Sequence, residues 1–168
     1  KNTLWEEATR VVLSIEAPGV TQPGQFTASP ASLLDLYPTL NDLCGLPAIE
    51  GLEGVSLRPI LSAPNDTSLD RPVLSTWFEG NHSVRSRPWR YIRYRDGSEE
   101  LYDHRVDSGE HDNIASHAEA VEVIDHLRTF LPHRDAPARM SNGRSEDRLT
   151  RDIEKFKDTG FPGWLRDE

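Results

Sequence analysis

The run Arg10-Val11-Val12-Leu13-Ser14-Ile15, closed by Ala17-Pro18-Gly19, limits what this chain can fold into more than any other feature. A short, β-branched, mostly apolar run that ends on a strong breaker reads as a buried strand of the kind found inside a parallel sheet. Such a strand needs a neighbour on each side, and the rest of the sequence offers few runs that could flank it in parallel. The expectation is a sheet whose other strands lie elsewhere. Thr3 to Thr9, with Glu6 and Glu7 early, has helix-forming character and leads into the run. A chain that starts at Lys1, without an initiator Met or a leader, is expected to be truncated, with any export signal upstream.

Composition agrees with a piece that leans on something larger. The 168 residues suffice for one modest domain, but only 36% are hydrophobic and 28% are charged. Nineteen Lys and Arg against 28 Asp and Glu give a net charge of −9, which disfavours a general affinity for nucleic acid or anionic membrane. An anionic ligand therefore requires a local cationic site. The single cysteine, Cys44, excludes an internal disulfide. No apolar run approaches the ~20 residues of a membrane span.

The pattern of elements divides the chain in three. Residues 1–71 carry the buried run, an amphipathic helix over Ser32 to Cys44, and a connector rich in Gly, Pro, Ser and Asp. Pro38 is expected to split that helix, ending a short first piece and starting a second. Residues 72–132 form a small α+β unit. Four short strands are predicted at Pro72 to Phe78, Ser83 to Arg85, Trp89 to Tyr94 and Glu99 to Tyr102, with Asp96-Gly97 marking a tight hairpin. The third strand alternates, with Arg90, Ile92 and Tyr94 on one face and Trp89, Tyr91 and Arg93 on the other. A helix over His117 to Leu131 packs on this sheet through Ala118, Val121, Ile124, Leu127 and Leu131, and Pro132 ends it. Residues 133–168 are a polar tail with a short helix expected at 146–157 and a Phe161-Pro162-Gly163-Trp164 anchor.

Several ordered blocks resemble the type I, formylglycine-dependent sulfatases of the alkaline-phosphatase-like superfamily, in their C-terminal portion. Lys1 to Val11 is similar to the family segment K-x-x-x-[WF]-E-x-[AS]-x-[RH]-V. Leu33 to Leu40 with Leu43-Cys44-Gly45 is similar to D-[IL]-x-P-T-L…[AL]-x-G, and Gly54-Val55-Ser56-Leu57 to the G-x-S-[LF] that follows. Trp89-Arg90-Tyr91-Ile92, Glu100-Leu101-Tyr102-Asp103, then Asp107, Glu110 and Asn113 resemble W-[RK]-Y-I…E-L-Y-D…D-P-x-E-x-x-N. The nearest subgroup by this resemblance is the iduronate-2-sulfatase-like enzymes. Val12-Leu13-Ser14 departs from the usual Pro-Leu-[IV].

The resemblance implies an α/β fold, the C-terminal part of an alkaline-phosphatase-like sulfatase, ending in a small antiparallel sheet with one packed helix. It implies a sulfuric ester hydrolase acting on sulfated small molecules or carbohydrates, in which a formylglycine diol held by Ca2+ attacks sulfur while basic residues neutralise the sulfonyl oxygens. The nucleophile and most metal ligands would belong to a missing N-terminal half. Periplasmic, secreted or lysosomal placement follows from the same resemblance. Lys1 matches the family lysine that contacts the sulfate, as a compact ammonium on a sulfonyl oxygen. His82 and Arg85, read as lying on an exposed loop before the Trp89 strand, are candidates for the substrate rim.

Other residues are expected to be structural. Asp35 caps the Pro38 helix, Thr9-Arg10 pair with buried carboxylates, and Cys44 is a core cysteine at a helix end, with no Arg four residues on. Trp89 and Tyr91 are core residues of the small sheet. Glu100 and Asp103 are turn and cross-strand partners rather than an acid/base pair. His104, His111, His117, His126 and His133 lack metal-ligand spacing. The competing readings are a phosphodiesterase or phosphonate hydrolase of the same superfamily, and a non-catalytic binding module.

Overall fold

In a computed structural model of the chain, residues 3–136 are described. Four strands, β1 (Val73–Thr76), β2 (His82–Arg85), β3 (Trp89–Arg93) and β4 (Glu99–Asp103), form an antiparallel meander in the order β1-β2-β3-β4. Register is set by the predicted hairpin: Arg93 faces Glu99, and Gly97 takes a positive φ of 86° that the tight turn demands. The Asp96 carboxylate accepts from the Ser98 backbone N–H at 2.9 Å and locks that turn.

Both faces of the sheet are covered, which is why its central strands are apolar on each side. On one face Val84, Tyr91 and Leu101 pack against Ala120, Ile124, Leu127 and Leu131 from the C-terminal helical segment. On the other, Ile92 and Tyr102 pack against Leu4. Each Leu or Ile so buried contributes roughly 1.5–3 kcal/mol. The Tyr91 hydroxyl donates to the Glu99 carboxylate. Burial, then that carboxylate, pushes the phenol up to about 12. The core role expected of Tyr91 is borne out, and Trp89 packs partly buried beside it.

Several expectations need correcting. A short helix, α3 (Arg58–Ser62), lies in the connector; the C-terminal helical segment is a 3₁₀ turn at Ala118–Ala120 followed by α4 (Val121–Arg128), and its buried stripe starts at Ala120, leaving Val121 56% exposed. The tight 3₁₀ turn rotates the stripe away from Ala118 and Val121. Pro38 does not split its helix. A 3₁₀ turn at Leu33–Asp35 runs into α2 (Leu36–Leu43), and Pro38 sits in the first turn of α2, where no backbone N–H is required. The N-terminal helix α1 is a single turn, Glu6–Thr9. Thr9 donates its hydroxyl to the Trp5 carbonyl of its own turn, and Arg10 is exposed rather than paired with a buried carboxylate.

The run 10–15 is not a strand here. It carries no regular secondary structure, and Val12 is 98% exposed. The run pairs with neither edge strand of the antiparallel sheet of residues 73–103, and a lone ribbon has no ladder to join. Cys44 is exposed at the end of α2 rather than in a core. The helix buries only its Thr39 side, so the side carrying Tyr37 and Leu40 is left open. The predicted helix at 146–157 and the Phe161 to Trp164 anchor lie outside the described residues.

One joint fixes α2 and explains two sequence blocks together. Asp35 is fully buried; its carboxylate accepts from Ser32 N at 2.7 Å, from Val55 N at 2.9 Å and from the Arg71 guanidinium. It therefore caps the 3₁₀ turn that begins after Ser32, not the α2 helix itself. Thr39 Oγ1 donates to the Asp35 carbonyl at 2.6 Å and accepts from Leu57 N at 2.8 Å. Ser56 Oγ donates to Asp42 Oδ2 at 2.6 Å. Gly54-Val55-Ser56-Leu57 is thus laid onto the helix that Asp35 starts, at backbone contact. A Cβ on Gly54 would lie 2.1 Å from the Leu34 carbonyl oxygen and 2.9 Å from Asp35 N. Gly54→Ala is expected to destabilise the intact protein by about 1–3 kcal/mol, read from its denaturant midpoint, because backbone cannot yield as a flexible side chain does.

Candidate functional site

The alternation of β3 points Arg90 toward the face that Leu4 covers, where its side chain is 2% exposed. A guanidinium there must be fully matched. Nε donates to Glu110 Oε1 at 2.6 Å. One terminal nitrogen donates to the Leu4 carbonyl at 3.1 Å and to Ser83 Oγ at 2.7 Å, and the other donates to the Glu6 carboxylate. Arg85 Nε also donates to Glu6 Oε2, at 3.2 Å, and its Nη2 lies 2.9 Å from His104 Nδ1. Arginine only donates, so Nδ1 accepts and the His104 proton sits on Nε2. That Nε2 donates to Glu110 Oε1 at 2.8 Å, while Glu110 Oε2 accepts from the Glu6 backbone N–H at 2.7 Å.

Two carboxylates, two guanidiniums and a neutral imidazole make a cluster of zero net charge. It joins α1, β2, β3 and the loop after β4. Burial pushes the Glu6 carboxyl up, but the hydrogen bonds and charges of Arg90 and Arg85 outweigh this and hold it below the usual carboxylate range. Burial pulls the Arg85 guanidinium below its usual value, and the Glu6 carboxylate opposes it. Glu110 itself is held with φ at +56°, in the left-handed region. Such a backbone costs on the order of 1–3 kcal/mol, and it persists where surrounding contacts over-determine it. Here the Asp107 carboxylate, accepting from His111 N and Asp112 N, shapes the turn.

Glu6, His104 and Glu110 offer ligand atoms within 4.8 Å of one another. They do not suit Ca2+, which takes about 6–8 oxygen ligands. Glu6 Oε2 and both Glu110 oxygens already accept from two guanidiniums, the His104 ring and a backbone N–H, and added positive charge would meet Arg85 and Arg90. The cluster's chemistry is that of a clamp.

Of the residues singled out from the sequence, Lys1 lies outside the described residues. His82 is not on a loop: it opens β2, 2% exposed, with Nδ1 2.9 Å from Thr76 Oγ1 and Nε2 2.6 Å from Asp135 Oδ1. It is buried because its neighbours in register, Thr76 and Arg93, bracket it within the sheet. Arg85 stands at the other end of the same strand, inside the clamp. Glu100 accepts from Trp5 Nε1 at 2.8 Å, and Asp103 pairs with Arg105 at 2.7 Å, so both are structural. A shallow, open depression lies where the turns at 77–81 and 94–98 meet. A groove of about 740 Å³ there is lined by Asn81, Tyr94, Arg95, Asp96 and Ser98.

The family model described as "N-sulphoglucosamine sulphohydrolase, C-terminal" matches residues 1–150. The chain belongs to this family. A sulfatase from Formosa agariphila is 35% identical over 136 residues, covering 81% of this chain and 26% of its own length. Arylsulfatase K of Gallus gallus is 31% identical over 158 residues, covering 84% of this chain and 29% of its own. A solved structure of a 2-O GAG sulfatase superposes with a TM-score of 0.50 at 26% identity, covering 74% of this chain and 26% of that one. The chain therefore spans about a quarter of the length of the relatives it matches. Its fold is that of the C-terminal part of an alkaline-phosphatase-like sulfatase.

Within this sulphohydrolase C-terminal unit, the residues the sequence did not point to are Glu6, His104 and Glu110. Arg90 left one trace. An arginine on the same strand face as Ile92 and Tyr94 is a charge in an apolar setting, and that demands a carboxylate. Nothing local names the partners, which stand 84 residues away at Glu6 and 20 residues away at Glu110.

Proposed function

We propose that the intact protein hydrolyses sulfate esters on sulfated sugars or polysaccharides. The observation that carries this reading is the family match over residues 1–150, with relatives that are themselves sulfatases. The 2-O GAG sulfatase neighbour supports the carbohydrate class of substrate. In this reading the nucleophile and the metal ligands belong to polypeptide outside these 168 residues. A Ca2+-bound formylglycine would supply the attacking oxygen there. The exposed sides of α2 and of residues 10–15 are the surfaces that rest against that part. Among the described residues no helix is long and apolar enough to cross a membrane, and an exported location fits the family.

Lys1 is the residue of this chain assigned to the sulfate. Its ammonium offsets charge on a sulfonyl oxygen as the S–O bond to the alcohol breaks. The polar atoms of His82 and Arg85 are engaged within the protein, and only His82 lies at the groove end of β2. On the open groove the Asn81 amide is taken up by the Glu79 carbonyl and the Arg95 N–H, so Arg95, 69% exposed beside Glu79, is the cation there that meets a sugar hydroxyl or sulfate. The test is release of inorganic sulfate from sulfated monosaccharides and an aryl sulfate by the intact protein. Lys1→Ala should cost about 2–4 kcal/mol in kcat/KM on either substrate. Intact protein that cleaves phosphonate or phosphodiester substrates and no sulfate ester would overturn the reading.

A further inference from the structure

We propose that Asn65 is an acceptor site for N-linked glycosylation and that the second acceptor triplet of the chain, at Asn81, is closed by the fold. The inference rests on the exported location that fits the family and adds a covalent modification to it.

The sequence carries two N-x-[ST] triplets, Asn65-Asp66-Thr67 and Asn81-His82-Ser83. A glycosyl transferase must reach both the asparagine amide and the hydroxyl two residues on, and the finished glycan must project into solvent. The fold treats the two triplets differently. Asn65 lies in the turn that Pro64 opens after α3, where the Asp66 N–H donates to the Ala63 carbonyl at 3.0 Å. Asn65, Asp66, Thr67 and Ser68 are all exposed. The Asp66 carboxylate accepts from the Ser68 N–H at 3.0 Å and its hydroxyl at 2.6 Å, so the middle side chain is occupied with the residue beyond the triplet. This stretch is polar, whereas the open side of α2 carries Tyr37 and Leu40. A polar, exposed turn is where a chain stays at the surface.

Asn81 is built into the sheet unit instead. Its side-chain amide donates to the Glu79 carbonyl at 3.2 Å, and its side-chain oxygen accepts from the Arg95 N–H at 3.2 Å, which joins the turns at 77–81 and 94–98. The two turns meet closely, since a Cβ on Gly80 would lie 3.1 Å from Arg95 Cγ. A sugar on the Asn81 amide would have to part them. The hydroxyl that the triplet requires is hidden as well. Ser83 is fully buried, its Oγ accepts from Arg90 at 2.7 Å, and His82 between the two is 2% exposed. The reaction at Asn65 takes a lipid-pyrophosphate-linked oligosaccharide that begins with N-acetylglucosamine. Nδ2 forms a bond to the anomeric carbon of that sugar, and the bond from this carbon to the pyrophosphate oxygen breaks. The lipid pyrophosphate leaves with the electron pair, and one amide proton passes to a base of the transferase.

Expression of the intact protein in eukaryotic cells tests this, once with its own N-terminal sequence and once behind the host's secretion leader. Enzymatic release of N-glycans converts each formerly glycosylated asparagine to aspartate, and peptide mass mapping reads where. The expected result is conversion at Asn65 in most molecules of both arms and none at Asn81. Asn65→Gln and Thr67→Ala, both at exposed positions, should each abolish the modification of this turn while leaving release of sulfate from an aryl sulfate unchanged. Mapping the parent protein decides Asn81 without a substitution that would disturb its two turns. An unmodified Asn65 in the leader arm overturns the assignment, and a glycan on Asn81 in folded protein overturns its closure. Modification of Asn65 in the leader arm alone supports the acceptor site and overturns the exported location.

Discussion

Arg90→Met is expected to destabilise the intact protein by about 3–5 kcal/mol, measured as the shift of its denaturant unfolding free energy. The methionine fills much the same space and keeps the apolar stem, so packing loss is small. What changes is charge. Glu110 loses its guanidinium partner at a site where its own side chain is 3% exposed. Glu6 retains Arg85, at 3.2 Å, which keeps the loss from being larger. Contrast sets the scale. Arg58–Asp42 is an ion pair of similar length, 3.0 Å, but its side chains are 47% and 38% exposed. Removing Arg58 should cost no more than about 1 kcal/mol. A similar cost for both arginines would mean that water reaches the clamp and that burial does not set its strength.

Asp35→Ala should be comparably severe, about 3–5 kcal/mol by the same measurement. Three donors lose their acceptor together: the Ser32 and Val55 backbone N–H groups and the Arg71 guanidinium. Each buried donor left unmatched costs roughly 1–3 kcal/mol, and partial hydration of Arg71, whose side chain is 31% exposed, trims the sum. Asp35→Asn should fall between wild type and alanine. Its amide oxygen serves one side of the joint, while its amine faces a donor on the other. An asparagine variant as unstable as alanine would mean that the joint needs the charge more than the acceptors.

The parts legible from sequence were those governed by neighbours along the chain. Asp96-Gly97 forced the last hairpin, and the alternation through Trp89 to Arg93 assigned Tyr91 and Ile92 to opposite faces, as found. Local rules also set the limits. The stripe of α4 slipped because a 3₁₀ turn precedes it, and no residue at 118–120 announces that tighter winding. His82 looked like a loop residue because it follows Gly80 and Asn81; only pairing with Thr76 and Arg93 draws it into β2. The clamp was hidden for another reason. Its members are 79 to 104 residues apart where α1 meets the sheet unit, and pairings at that separation leave no periodic mark. The family blocks nonetheless held pieces of it, since Glu6, Arg90 and Glu110 fall in three of them.

The left-handed backbone of Glu110 has an evolutionary corollary. Glycine or asparagine would relieve its conformation, yet neither carries the carboxylate that Arg90, His104 and the start of α1 all require. An aspartate eases the turn but is one methylene too short to bridge the same partners. Every single-step replacement at this position therefore loses something, and lineages that leave it must rewrite several distant codons within a narrow window. Drift across related genes should accordingly be slow at Glu110 and, when it comes, arrive as a concerted exchange with Arg90 and Glu6.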